Sequence, residues 1–176
     1  PVTADVAAAP RTVDLHAHST ASDGAHPPAT AVELAHRAGL SAFALTDHDT
    51  LAGIPEARTA AEACGIRLVA GVELSVHQDR TEVHLLGLHI RDVEAMQQEL
   101  EGVRDRRRSR AETIVARLAA IGIPVPFEAV LDAAQGGAIG RPHVARALIA
   151  GGHVKDSREA FDRYLAADRK STRLNS

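Results

Sequence analysis

Residues 41–50 read SAFALTDHDT, a short apolar run followed at once by three titratable side chains. The segment Ser41–Thr46 predicts a buried β-strand, because short apolar runs bounded by turn residues are typical of such strands. Asp47, His48 and Asp49 come directly after it, where burial without partners is costly. The pattern therefore favours ligand-binding side chains at the end of a strand. The alternative is that Asp47 or Asp49 is the N-cap of the next helix, and Asp49 could have that role in either case.

The same alternation extends over the region before Arg91. Strands are expected at Thr12–Ala17, Ser41–Thr46, Arg67–Leu74 and Val83–Ile90, and helices at Pro28–Ala38 and Ile54–Ala63. Gly39 and Gly65 follow the two helices and can end them. The order β-α-β-α-β-β indicates an α/β fold with parallel strands and covering helices.

A helical pattern replaces this alternation after Arg91. Further helices are expected at Val93–Ile121 (one long helix or two), Phe127–Ala134, Pro142–Ala150 and Ser157–Leu165. We therefore divide the chain into an α/β part at 11–91 and a helical part at 92–167. The polar residues 168–176 resemble the translation of a common sequencing adapter and are expected to be a non-native tail. The native chain is then expected to continue past Leu165.

Composition excludes several classes of protein. The chain has 176 residues and a net charge of −3, with no apolar run long enough for a membrane span. The single cysteine, Cys64, excludes an internal disulfide framework and a cysteine-based zinc finger. Residues 1–10 lack the basic start and apolar core of a signal peptide, so a cytoplasmic protein is expected. Of ten histidines, eight lie between His16 and His89, which favours a metal site.

Further candidate ligands lie near the ends of the other predicted strands. His16 and His18 share one face of a strand, because side chains two residues apart point the same way. Asp23 lies in a turn, and its simpler interpretation is an ordinary Asx turn. Glu73 follows an apolar run and would be a buried carboxylate unless it binds a cation. His84 alone is better explained as a hydrogen-bonded core histidine.

The placement of these residues is more informative than any one of them. Functional groups of α/β barrels gather at the carboxyl ends of the strands. Only His84 comes early in its predicted strand, and an antiparallel fourth strand or a shifted boundary would reconcile it. Mixed histidine and carboxylate sets suit two or three divalent ions, such as Mn²⁺, Zn²⁺ or Fe²⁺. Such clusters commonly hydrolyse phosphate esters.

The order of these motifs resembles the first half of the PHP (polymerase and histidinol phosphatase) superfamily. The motifs are His16-x-His18, Ser22-Asp23-Gly24, Thr46-Asp47-His48-Asp49-Thr50, Gly71-x-Glu73 and His84. With Gly140-Arg141-Pro142-His143, they resemble a branch of nucleoside-3′,5′-bisphosphate phosphatases and 5′→3′ exonucleases of short RNA. The resemblance implies the first half of a distorted (β/α)₇ barrel with a helical insertion.

The resemblance also implies six metal ligands. They are His16 and His18 on a first ion, Glu73 bridging to a second, His84 on the second, and Asp23 and His48 on a third. A hydroxide between the first two ions would attack phosphorus, which places Glu73, His16 and His18 nearest the chemistry. Mn²⁺ is the first expectation, with Zn²⁺ or Fe²⁺ as alternatives.

Outside the ligand set, the resemblance implies that Asp47 orients a ligand rather than binding an ion. Arg141 and His143 would contact a substrate phosphate. The expected partner is a nucleotide or short RNA, with no membrane and no obligate protein partner. The family completes its site with later His and Asp-x-His ligands, which this chain lacks after His153. We therefore expect its metal affinity and activity to be impaired.

Three other functions stay open from the sequence. One is a histidinol-phosphate phosphatase of the same superfamily. Another is a non-catalytic PHP module of a larger protein such as a polymerase. The third is an RNA-binding domain built on the basic run from Arg104 to Arg110, whose simpler interpretation is a solvated helix face.

Overall fold

Three parallel strands and one antiparallel strand form the sheet. The computed structural model describes residues 12–78 and 81–165, and its strands are β1 (Val13–Ala17), β2 (Ala42–Leu45), β3 (Arg67–Gln78) and β4 (Thr81–Leu88). They are neighbours in the order β1-β2-β3-β4. The pairs β1–β2 and β2–β3 are parallel, whereas β4 runs antiparallel to β3. The predicted α/β alternation is confirmed, and the fourth strand takes the antiparallel direction that reconciles His84.

The helices begin and end close to their predicted limits. They are α1 (Pro28–Arg37), α2 (Ile54–Cys64), α3 (Val93–Ala120), α4 (Phe127–Ala134), α5 (Arg141–Ala150) and α6 (Ser157–Ala160). Gly65 ends α2 with a φ of 73°, a left-handed conformation that costs glycine little. The region after Arg91 opens with one long helix, α3. The predicted helix Ser157–Leu165 is corrected: α6 is only its first turn, and a π-helical segment, Phe161–Leu165, follows.

The hairpin of β3 and β4 is longer than predicted. The predicted strand ended at Leu74, but β3 continues to Gln78, and β4 begins at Thr81. The added residues pair only within this hairpin, in a register that runs from Gly71 opposite Leu88 to Gln78 opposite Thr81. The apolar run that predicts this strand ends at Leu74, because the polar residues Ser75, His77 and Gln78 interrupt it.

Two hydrophobic cores contact different parts of the long helix. The first lies between the sheet and α1 and α2, and the second lies between α3, α4 and α5. Helix α3 belongs to both, since Leu100 is buried in the first core and Leu118 in the second. The division between an α/β part and a helical part near residue 92 stays a prediction, because α3 packs into both cores.

Apolar side chains are exposed on both outer strands of the described sheet. Leu15 of β1 is 41% exposed, and Leu85 of β4 is 51% exposed. A sheet that does not close into a barrel leaves its outer strands without a neighbour. No helix among residues 12–78 and 81–165 is long and apolar enough to cross a membrane. The predicted non-native tail, 168–176, lies outside the described residues.

Candidate metal centre

The candidate ligands come together at one end of the sheet. His16 lies in β1 and His18 follows it, while Asp47 and His48 follow β2. His48 forms a single parallel bridge with Glu73 of β3. Because β4 is antiparallel to β3, the early position of His84 in β4 lies opposite Ser75, close to Glu73. The sheet therefore brings all of these side chains to the same end.

The carboxylate of Glu73 is the centre of the cluster. Its side chain is only 4% exposed, and its Oε2 lies 3.0 Å from His16 Nε2 and 2.7 Å from His18 Nε2. Its Oε1 lies 2.7 Å from His84 Nδ1. Burial acts to raise the pKa of Glu73, but the hydrogen bond with His16 and the nearby imidazoles lower it overall. Glu73 is thus an anion that faces several ring nitrogens.

Three groups of ligand atoms are close enough to share an ion each. The groups are His16–His18–Glu73, His18–Asp23–His48 and His48–Glu73–His84, each with its ligand atoms within 4.8 Å of one another. Ligand atoms bound about 2.1 Å from an ion and at right angles lie about 3 Å apart. The distances among His16 Nε2, His18 Nε2 and Glu73 Oε2 are 2.7 to 3.2 Å. The residues therefore fit divalent ions.

An unpaired nitrogen supports this fit. His48 Nδ1 is buried and has no hydrogen-bond partner among the described residues, although it lies 3.5 Å from Glu73 Oε2. A buried polar atom without a partner is costly in a folded protein. Burial lowers the pKa of His48, and the Arg107 charge lowers it further against the opposing effect of Asp23. A neutral imidazole is the form that binds metals.

The turn that carries Asp23 is fixed by a buried carboxylate. Asp47 is 2% exposed and accepts hydrogen bonds from the Ser19 amide (2.7 Å), the Ser19 hydroxyl (2.7 Å) and the Ser22 hydroxyl (2.6 Å). The turn is tight, because a Cβ on Gly24 would lie 2.4 Å from the carbonyl oxygen of His18. Asp47 thus holds the loop between His18 and Asp23.

Asp23 and His18 form a coupled pair. Asp23 Oδ1 lies 2.9 Å from His18 Nδ1, and Asp23 Oδ2 lies 3.7 Å from His48 Nε2. Burial would raise the pKa of Asp23, but the hydrogen bond with His18 and the charges of the His48 and His18 imidazoles lower it to about 2. Burial would lower the pKa of His18, but its contact with Asp23 raises it overall. Asp23 is therefore a permanent carboxylate next to the cluster.

Arginines line the mouth of the centre. A cavity of about 150 Å³ lies against Asp23, His48 and His84, and Arg107, Arg110 and Arg141 contribute to its wall. Phe161 and Ile114 form an apolar part of the same wall. The negative ligand groups and the guanidinium groups thus face one space. This arrangement suits an anionic ligand that reaches bound cations.

A family comparison agrees with this geometry. The profile of the PHP domain family matches residues 14–170 of the chain. The chain belongs to the PHP domain family. Membership confirms the superfamily prediction, and the α/β sheet with its helices is a partial PHP barrel.

Individual relatives of this PHP chain point in the same direction. A 5′-3′ exoribonuclease of Haemophilus influenzae is 40% identical over 153 residues, which cover 86% of this chain and 56% of the relative. A 3′,5′-nucleoside bisphosphate phosphatase of Chromobacterium violaceum is 40% identical over 155 residues, with coverages of 87% and 54%. A solved structure of a candidate metal-dependent phosphoesterase from Bifidobacterium adolescentis superposes with a TM-score of 0.82 at 34% identity, with coverages of 91% and 57%. The chain spans about half the length of the curated relatives it matches.

The two residues predicted to meet a phosphate have different positions in the PHP chain. Arg141 lines the cavity at the start of α5. His143 is fully buried, and its Nδ1 accepts from the Gly140 amide (2.9 Å) while its Nε2 lies 3.0 Å from the Ser22 carbonyl oxygen. Both ring nitrogens are therefore occupied by backbone groups. A direct phosphate contact by His143 would require one of these hydrogen bonds to break.

Contacts of Asp49 and Arg107 were not indicated by the sequence. Asp49 is 1% exposed, and its carboxylate accepts from the Ser75 amide (2.9 Å) and from Arg107 Nε (2.5 Å). The N-cap of α2 is Gly53, so the N-cap alternative is wrong for both Asp47 and Asp49. The available signal in the sequence was the expected burial of Asp49, because a buried carboxylate needs a partner. No local sequence signal identifies Arg107, which lies 58 residues after Asp49. The simpler interpretation of the basic run that contains it is a solvated helix face.

Proposed function

We propose that this chain carries the metal-binding and phosphate-binding half of a metal-dependent phosphoesterase, a hydrolase that acts on nucleotide phosphate esters. The observation that carries the proposal is the buried Glu73 carboxylate, which lies 2.7 to 3.5 Å from ring nitrogens of four histidines. These histidines are His16, His18, His48 and His84. A carboxylate and several imidazoles around one point form a donor set for divalent ions, and arginines complete the wall of the space beside it.

The proposed substrates are nucleoside 3′,5′-bisphosphates and the 5′ ends of short RNA. Relatives with these two activities each share about 40% identity with the chain. Arg110 and Arg141 line the cavity beside the candidate ligands. Guanidinium groups bind phosphate oxygens in a bidentate way. Their presence in the lining of one cavity agrees with a substrate that carries more than one phosphate.

The residues have distinct proposed roles in hydrolysis. His16, His18, Asp23, His48, Glu73 and His84 would hold two or three divalent ions. Bound ions of this kind supply a hydroxide at neutral pH and offset charge on the phosphoryl oxygens. Arg141 would orient the phosphate for in-line attack. Asp47 would keep the Asp23 turn in place through its hydrogen bonds to Ser19 and Ser22.

Mn²⁺ is the proposed ion, with Zn²⁺ or Fe²⁺ as alternatives, because mixed nitrogen and carboxylate sites accept all three. A cytoplasmic location is part of the same proposal, because nucleotides and short RNA are found there.

The alternatives agree less well with the contacts. An RNA-binding face on α3 would need solvated arginines, yet Arg107 pairs with Asp49, and Arg108 pairs with Glu112 at 3.1 Å. A histidinol-phosphate phosphatase would not need the Gly140–Arg141 segment beside the ligands. A non-catalytic module would not need a complete first-half ligand set.

The experiment that tests the proposal measures Mn²⁺-dependent phosphate release from adenosine 3′,5′-bisphosphate by the full gene product. His16→Ala is the test variant, and His36→Ala, on the exposed face of α1, is the matched control. Release that His16→Ala abolishes and His36→Ala retains would support the proposal. Metal binding without release would refute the nucleotide substrate and favour histidinol phosphate or a non-catalytic module. Release that survives His16→Ala would refute the metal centre.

A further inference from the structure

Arg107 reaches from α3 to three separate segments of the chain. Its side chain is only 16% exposed. Its Nε donates to Asp49 Oδ2 at 2.5 Å, and its Nη2 donates to Ser75 Oγ at 2.6 Å. Its Nη1 donates to the carbonyl oxygen of Ile139 at 3.4 Å. One guanidinium group therefore contacts the loop after β2, the strand β3 and the segment before α5.

The first two contacts lie directly beside metal-ligand candidates. Asp49 follows His48, and its amide donates to the Glu73 carbonyl oxygen at 3.0 Å. Its carboxylate also accepts from the Ser75 amide, two residues after Glu73. Asp49 has a φ of 50°, a conformation that is uncommon for residues other than glycine. The loop thus depends on side-chain contacts to keep its shape, and Arg107 provides one of them.

The third contact lies next to the proposed phosphate site. Ile139 precedes Gly140 and Arg141, and Arg141 lines the same cavity as Arg107. A planar guanidinium with fixed donor directions can hold three acceptors at once, which an ammonium group cannot do with the same geometry. Arg107 therefore links the metal-ligand candidates directly to the segment that leads to Arg141, in addition to the contact of Arg146 with the Asp23 carbonyl oxygen.

We propose that Arg107 is a positioning residue that fixes His48 against Glu73 and holds the Ile139–Arg141 segment beside them. The inference rests on the proposed function, because it assigns Arg107 a role in the ion-binding geometry. Arg107 acts through Asp49 and Ser75 and does not itself bind an ion. Loss of groups that orient metal ligands typically reduces metal affinity 10- to 100-fold. For Arg107→Ala we expect a loss of about tenfold in Mn²⁺ affinity.

The test is titration calorimetry of the full gene product with Mn²⁺, well below its melting temperature. Arg106→Ala is the matched control, because Arg106 is the adjacent residue of α3 and is exposed. We expect the control to bind as the unsubstituted chain does. Ser75→Ala removes only one contact and should give a smaller loss in the same direction. If Arg107→Ala does not fold, Ser75→Ala and Arg107→Lys decide the question, and unchanged affinity in both would overturn the positioning role.

Chemical rescue separates positioning from general destabilisation. Guanidinium ion added at low concentration to Arg107→Ala should restore Mn²⁺ affinity, whereas tetramethylammonium at the same concentration should not. Full affinity in the folded Arg107→Ala variant would overturn the inference, and so would a loss that guanidinium leaves unchanged. Failure of the unsubstituted full gene product to bind Mn²⁺ would overturn the proposed function, and the inference with it.

Discussion

Replacing Glu73 by glutamine is the sharpest perturbation of the candidate centre. The substitution preserves shape and removes one charge from a side chain that is 4% exposed. Both carboxylate oxygens face ring nitrogens, since Oε2 faces His16 and His18 and Oε1 faces His84. A glutamine has only one terminal oxygen, and its amide nitrogen cannot ligate an ion. In either orientation of the amide, one group of ligands loses its oxygen.

The size of the effect follows from the three ligand groups. Two of them include Glu73, and only His18–Asp23–His48 does not. We therefore expect Glu73→Gln to retain tight binding of at most one ion. Changing groups that merely orient ligands already costs up to about 100-fold. For the ions that need Glu73 itself, we expect a loss of at least about 100-fold, or about 2.8 kcal/mol.

Titration calorimetry with Mn²⁺ measures both the number of ions and their affinity. Glu62→Gln is the matched control, because Glu62 is an exposed carboxylate of α2 outside the three groups. Circular dichroism shows whether each variant keeps its secondary structure. A folded Glu73→Gln variant that binds as many ions as the unsubstituted chain, with equal affinity, would refute the reasoning.

Three further outcomes are expected. Asp47→Asn replaces one acceptor oxygen with an NH₂ donor that faces the amide or hydroxyl donors of Ser19 and Ser22. Urea titration should show that the free energy of unfolding falls by about 1–3 kcal/mol. Lowering the pH from about 8 to about 6 should weaken Mn²⁺ binding in calorimetry, because the imidazoles must be deprotonated. The pKa of His18 is raised, because its contact with Asp23 outweighs the opposing effect of burial. Protons should therefore compete with Mn²⁺ for His18 at a higher pH than is usual for histidine. Binding that does not depend on pH would contradict this. A chelator should lower the melting temperature from its value in Mn²⁺, since saturation at 100 times Kd stabilises by about 2.7 kcal/mol, whereas equal melting temperatures would argue against bound ions.

Local signals made most of the fold predictable. The spacing of His16 and His18 in a strand, and the apolar run before Asp47, are patterns of a few neighbouring residues. Glycines such as Gly65 marked helix ends because a left-handed residue closes a helix. These signals place His16, His18 and His48 at strand ends without knowledge of distant contacts.

Features that depend on distant pairing could not be predicted in the same way. The position of His84 close to Glu73 follows from its register opposite Ser75. This register is fixed only when β4 pairs antiparallel with β3. The buried position of His143 follows from its contact with the Ser22 carbonyl, 121 residues away. The motif predicted that His143 is important but not that backbone groups occupy both of its ring nitrogens.

The two parts of the candidate site differ in how the chain assembles them. Every metal-ligand candidate lies between His16 and His84, on or next to neighbouring strands, so pairing within the sheet brings them together. Arg110 and Arg141, in contrast, reach the cavity only because α3 and α5 dock on the loops of the sheet. That docking uses Arg107 on Asp49, together with an Arg146 bond of 2.7 Å to the Asp23 carbonyl oxygen. Both contacts end on or beside the residues that hold the proposed ions, so the position of the phosphate-binding arginines is tied directly to the geometry of the metal centre.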